Sequence, residues 1–168
     1  MRTLSLVLLI ALAGCASSES IELRTEPLTV VETEQVDALL EDLYGSFCYE
    51  AGEQPDWALM RSVFVEGAQF VSEPAAGEAP EPQSVDAFIA SWRASIGERS
   101  SPTLATQEWI VDRRCTRAGE LTHVDVVFQA RKSGDPGPRR PGRDSLVLVR
   151  VGDAWKVLSF VVQYESKL

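Results

Sequence analysis

An α+β domain is what this sequence predicts, and three observations point to it. Up to Gly97, apolar residues recur at three- and four-residue spacings, the period of a helix with one buried face. From Leu104 onward the period shortens to two, in runs rich in Val and aromatic residues that are broken by Gly, Pro and Asp. Helical segments come first and strands follow, so helices and an antiparallel meander are expected to form separate layers.

The first helix is read from "TEQVDALLEDLYGSFCYEAG", where Val36, Leu39, Leu40, Leu43 and Phe47 fall on one face. Thr33 is the expected cap, Glu34 and Asp37 suit the positive end of the helix dipole, and Gly52 marks the stop. A second, short helix follows Asp56 and carries Trp57, Met60 and Phe64, after which "GAQFVS" reads as a strand. "EPAAGEAPEPQ" has no apolar period and is expected to be a surface loop. Ser84 then caps a third helix, with Val85, Phe88, Ile89, Trp92 and Ile96 in phase and Gly97 closing it. The strands expected beyond it are "LATQEWIVDRRC", "LTHVDVVFQARK", "DSLVLVRV" and "AWKVLSFVVQY", with turns at Ala118-Gly119 and Gly152-Asp153.

Ahead of this domain stands a different kind of segment. Residues 1–14 carry one charge, Arg2, and an apolar stretch from Leu4 to Ala13 interrupted only by Ser5. A mature membrane span needs about 20 apolar residues, so this stretch fits the apolar region of a secretory signal instead. Its end, "LAGC", resembles the lipobox of bacterial lipoproteins. The resemblance implies cleavage before Cys15, a diacylglyceryl group on its sulfur, and a chain held on a membrane by its acyl chains. Because Ala16 rather than Asp follows the Cys, the sorting rule of those lipoproteins implies the outer membrane, facing the periplasm, in a double-membraned bacterium, and the outer face of the cytoplasmic membrane in a single-membraned one. The alternative is an ordinary signal cut after Ala13, shorter than the about 15–30 residues usual for one. Residues 15–32, rich in Ser, Thr and Glu, read as a solvated tether, and residues 33–168 as one domain.

The chain has 25 Asp and Glu against 16 Lys and Arg, a balance that repels nucleic acid and removes it from the expected partners. The main gathering of basic residues is around "KSGDPGPRRPGR", where Arg131, Lys132, Arg139, Arg140 and Arg143 lie. That segment reads either as a solvated hairpin loop or as a contact for anionic lipid headgroups. Beyond Cys15 the cysteines are Cys48 and Cys115. In an oxidising compartment two spare cysteines point to one disulfide, which would add about 4 kcal/mol by closing so long a loop. Two separate buried thiols are the other reading, and folded geometry decides between them.

The order of elements resembles the nuclear transport factor 2-like superfamily, which includes ketosteroid isomerase, scytalone dehydratase and polyketide-cyclase-like proteins. The features that carry it are the long first helix, "DWALMRSVFVEGAQFV", "SVDAFIASW" and the closing hairpin "LVLVRVGDAWKVLSF". The resemblance covers roughly Thr33 to Tyr164. It implies a cone in which three N-terminal helices pack in a strongly curved antiparallel sheet, a pocket at the open end, and frequent homodimerisation through the sheet's outer face. It is poor for function, because one scaffold hosts enzymes and binding modules alike.

Chemistry is sparsely marked. The single histidine, His123, alternates in phase with Asp125 on one strand face, opposite Val124, Val126 and Phe128. The pair reads either as a base with its orienting carboxylate in the cone pocket or as a polar outer face. One His is too few for a zinc centre without carboxylate ligands, so neither a metal nor any other cofactor is expected. Tyr164, in phase with Phe160, is the expected pocket hydroxyl. The reading that follows is a lipid-anchored, non-catalytic module for a small apolar ligand or an envelope protein. Its alternative is an isomerase, dehydratase or hydrolase built on His123 and Asp125.

Overall fold

The computed structural model describes residues 25–74, 78–98, 105–132 and 139–164. The signal segment, Cys15, most of the tether and the centre of the basic loop lie outside them. In chain order the elements are α1 (Val30–Phe47), α2 (Trp57–Val63), β1 (Phe64–Val71), β2 (Pro82–Ser84), α3 (Val85–Glu98), β3 (Thr106–Ala118), β4 (Leu121–Lys132), β5 (Arg140–Val151) and β6 (Ala154–Tyr164). The strands form one curved, unclosed sheet in the order β2-β1-β6-β5-β4-β3.

Two details of the expected layout change. The helices are not a contiguous N-terminal block, since β1 and β2 stand between α2 and α3, and β2 forms at the end of the stretch read as a loop. The sheet is also not wholly antiparallel: β1 lies parallel to β6, while every other pairing is antiparallel. The cause is connectivity. β1 meets β6 only after the chain has passed through α3 and the whole meander, so no hairpin fixes their relative direction.

The first helix begins earlier than its apolar face suggests. Thr29, not Thr33, is the cap: its side chain accepts from the Glu32 backbone N–H at 3.2 Å, and the Thr29 N–H donates back to the Glu32 carboxylate at 2.9 Å. This reciprocal arrangement satisfies two orphan donors of the first turn. Glu32 is itself buried and bonds Arg117 of β3 at 2.8 Å and Arg150 of β5 at 3.4 Å, so the residue read as tether pins the helix start to the sheet. Those hydrogen bonds from Thr29, with the two guanidinium groups, hold its carboxyl below the usual carboxylate range.

From there Val36, Leu39, Leu40, Leu43, Tyr44 and Phe47 turn into the core, against Val124, Val126, Leu146, Leu148, Val157 and Phe160 of the sheet. Each fully buried side chain of this kind contributes about 1.5–3 kcal/mol, which explains why tertiary burial rather than propensity holds the helix. Ser84 sits at the end of β2 and accepts from the Ala87 N–H at 3.1 Å, the cap expected for α3.

The expected disulfide is not formed, and both cysteines are free thiols. Cys48 caps the C-terminal end of α1, where its sulfur accepts from the Glu108 N–H at 3.2 Å. Cys115 lies seven residues further along the same strand, roughly 20 Å away at the rise of a β-strand, beside the Arg113 guanidinium that pairs with Asp37. A bridge requires Cα atoms within about 7 Å, so the two ends of α1 keep these residues apart. Burial pushes both thiols up.

Candidate functional site

The concave face of the sheet, the C-terminal end of α1 and one face of α3 enclose a cavity of about 370 Å³. Strand register decides what enters it. Glu108 pairs with Ala130, and Ala130 with Arg140; one step on, Phe128 pairs with Gly142 and Gly142 with Tyr164; the next row joins Val126, Asp144 and Val162. Because side chains alternate along each strand, Glu108, Phe128, Asp144, Phe160 and Tyr164 all reach the cavity. α3 adds Phe88 and Trp92 at a helical spacing of four, with Ser91 and Ser95 beside them.

Most of the wall is aromatic. Phe70 stacks on Phe88 with ring centroids 3.7 Å apart, Phe160 lies 4.9 Å from Phe70 and 5.9 Å from Phe47, and Trp92 contacts Phe47 at 5.7 Å. Phe128 meets Tyr164 edge-on at 5.5 Å. That ring needs Gly142 opposite it. A Cβ at position 142 would come within 2.3 Å of the Phe128 ring and 2.9 Å of the Gln163 carbonyl oxygen. Gly142→Ala is therefore expected to displace Phe128 and to cost about 1–3 kcal/mol in urea denaturation. An unchanged denaturation midpoint would show that the ring has room to move.

Glu108, Asp144 and Tyr164 line the polar end of the cavity, with Glu73 and Lys132 beside them and the Tyr44 phenol behind Asp144. Tyr44 of α1 donates to Asp144 Oδ2, and the Tyr164 phenol lies close enough to Glu108 to lower its carboxyl. Asp144 is 4% exposed, and burial raises its carboxyl to about 8, with the Tyr44 hydrogen bond opposing and the Glu108 charge reinforcing the shift. Burial raises Glu108 to about 7 against the pull of Lys132 and the Tyr164 hydrogen bond. Both phenols are pushed above the ordinary tyrosine value by burial and by these carboxylates. The arrangement can accept hydrogen bonds, hold a cation, or pass a proton near neutral pH.

Of the residues singled out in the sequence, Tyr164 lines this cavity. His123 and Asp125 do not. They lie on the opposite, convex face of the sheet, where His123 Nε2 is 2.7 Å from Ser145 Oγ and its Nδ1 is 3.7 Å from Asp125. The His123 side chain is 44% exposed, while Val124, Val126 and Phe128 on the other face are buried. The alternation was legible, and it is that same alternation which keeps the pair out of the cone pocket. Of the basic cluster, Lys132 lines the cavity, Arg140 stacks over Tyr164 at 4.9 Å and Arg139 over Trp109 at the same distance. Glu108, Asp144 and the Tyr44 hydroxyl were not anticipated.

No protein-family model matches the chain, and no curated protein does either. Solved structures do resemble it. An NTF2-like protein of unknown function from Pseudomonas putida KT2440 superposes with a TM-score of 0.64 at 13% identity, over 84% of this chain and 92% of that one. A putative dehydratase from the NTF2-like family of Streptomyces avermitilis gives 0.60 at 17% identity, over 82% and 98%. A protein of unknown function with a cystatin-like fold from Nostoc punctiforme gives 0.63 at 8% identity, over 85% and 98%. At such identities the likeness establishes the fold alone.

Proposed function

We propose that this chain, which has the nuclear transport factor 2-like fold, is a bacterial envelope lipoprotein anchored through Cys15 whose cone cavity binds a small, largely apolar ligand without transforming it. The homodimer and the outer-membrane address implied by the two resemblances belong to the same proposal. One observation carries the binding role: a cavity of about 370 Å³ walled by aromatic side chains with polar groups at one end. Small-molecule sites have this character, mostly apolar with a few convergent polar groups that fix orientation.

Native mass spectrometry of the full-length protein purified from its own envelope tests this reading. An additional small mass that persists on the protein is the expected result, and protein that is always free of added mass contradicts it. The anchor has its own test. Cys15→Ala should move the protein out of the membrane fraction or leave the signal uncut, whereas correctly trimmed Cys15→Ala protein that stays on membranes would overturn the lipoprotein reading.

A second reading, an acid–base enzyme of isomerase, dehydratase or hydrolase type, is favoured by one observation. Glu108 and Asp144 titrate near neutrality inside the same cavity, the range in which general acids and bases work. In this reading the reacting groups are those two carboxyls and Tyr164 rather than His123 and Asp125. The structural relative described as a putative dehydratase is consistent with it. Here the bound mass is converted by the wild type, and Glu108→Gln binds it without converting it.

A further inference from the structure

The hydroxyls at the polar end of the cavity are already committed. Tyr44 donates a hydrogen bond to Asp144 Oδ2, and the Tyr164 phenol acts on Glu108. Beside them the lining carries the carboxyls, the Lys132 ammonium and the side chains of Ser72, Gln83, Ser91 and Thr106. Asp144 Oδ1 is buried and has no hydrogen-bond partner among the described residues. Glu73 brings a third carboxyl to the lining, its Oε2 3.4 Å from the Tyr164 backbone N–H. Lys132 is the one cationic side chain among the lining residues.

We propose that this pocket selects small organic ammonium ions, with the N–H groups on Asp144 Oδ1 and Glu108 and the carbon body against Phe47, Phe70, Phe88, Trp92 and Phe160. The inference rests on the ligand-binding reading above and names the class of its ligand. An ammonium has only donors to offer, which matches the unpartnered acceptor Asp144 Oδ1. Hydrogen bonds between an ammonium and a carboxylate are roughly twice as strong as neutral ones, and aromatic faces attract the same charge. A neutral ligand gains no such charge-assisted bond, and an anion is repelled wherever the carboxyls are ionised.

The protonation of the site gives the inference a pH signature. Glu108 faces Lys132 of β4, Asp144 of β5, Tyr164 of β6 and Tyr44 of α1, while Arg140 and Glu73 act on Tyr164. Burial raises both carboxyls in the empty site, so a proton and an ammonium ion compete for the same oxygens. Binding is therefore expected to strengthen as pH rises through about 7 and about 8. An alkylamine itself stays protonated to about pH 10.

The experiment is calorimetric titration of the full-length protein with 2-phenylethylamine and with 2-phenylethanol, which have the same carbon body and differ in charge. At pH 8 the amine should bind at least about tenfold more tightly than the alcohol, and the preference should fall by about tenfold at pH 5.5. Glu108→Gln and Asp144→Asn should each remove most of the preference, and having both variants guards against one that fails to fold. Equal or tighter binding of the alcohol overturns cation selection while leaving the pocket as a binding site. Binding of neither probe to folded protein overturns the pocket reading as well. An amine preference that survives in both variants places the cation elsewhere on this acidic surface and overturns the inference.

Discussion

Asp144→Asn is expected to make the protein more stable at pH 8 and to leave its stability at pH 4 nearly unchanged. The carboxyl titrates at about 8 in the folded chain, against the ordinary 3.8. Between these values the folded state holds a proton that the unfolded state has released, so wild-type stability must fall as pH rises through this window. Below about pH 4 both states are protonated and the difference vanishes. The amide keeps the shape and can still accept from Tyr44 but has nothing to ionise, so it escapes a penalty of roughly 3–5 kcal/mol at pH 8. Urea denaturation of both proteins from pH 4 to pH 9 measures the gap. Parallel curves with no widening gap would mean that Asp144 is ionised in the folded protein at ordinary pH.

Phe160→Ala carries the other large effect. The ring sits at the meeting point of Phe47 from α1, Phe64 and Phe70 from β1 and the cavity itself, and it is 1% exposed. Truncation leaves a hole that stiff neighbours on two layers cannot close, so a loss of about 3–5 kcal/mol is expected from denaturant unfolding. The same change removes a wall of the site, and ligand binding should weaken with it. A loss below about 1 kcal/mol would mean that the aromatic cluster rearranges freely around the gap.

Much of this architecture was legible in the sequence because burial has a period. Val36 to Phe47 at helical spacing and Val124 to Phe128 at strand spacing point inward as their patterns require. The same logic held the missed site. Asp144 is in phase with Leu146 and Leu148, and Glu108 with Ile110, so each is a carboxylate on a core-facing row. A charged residue in phase with apolar ones is the informative exception, and attention to the single histidine obscured it. The start of α1 was legible too: Thr29-Val30-Val31-Glu32 has the spacing of a reciprocal cap, yet its polar, tether-like context hid it.

Other features have no local signature. The parallel pairing of β1 with β6 and the meeting of Tyr44 with Asp144, a hundred residues later, depend on how the sheet curves around α1. The disulfide expectation failed for a similar reason, since compartment and cysteine count say nothing of distance. Irregularities between Phe64 and Gln69 of β1, at Val111 of β3 and at Leu158 of β6 shift register where alternation alone would carry it straight on. Asp112 is exposed for that reason, although it stands two residues after partly buried Ile110, and Arg113 and Cys115 take the partly buried face.

The cone cavity ends in a pair of carboxyls that burial raises toward neutral pH. Carbon-detected NMR of the side-chain carboxyls in full-length protein, with Glu108→Gln and Asp144→Asn used to assign the two signals, tests it directly. The pair is expected to titrate with midpoints at about 7 and about 8. Two midpoints near 4, the ordinary carboxylate range, would contradict it.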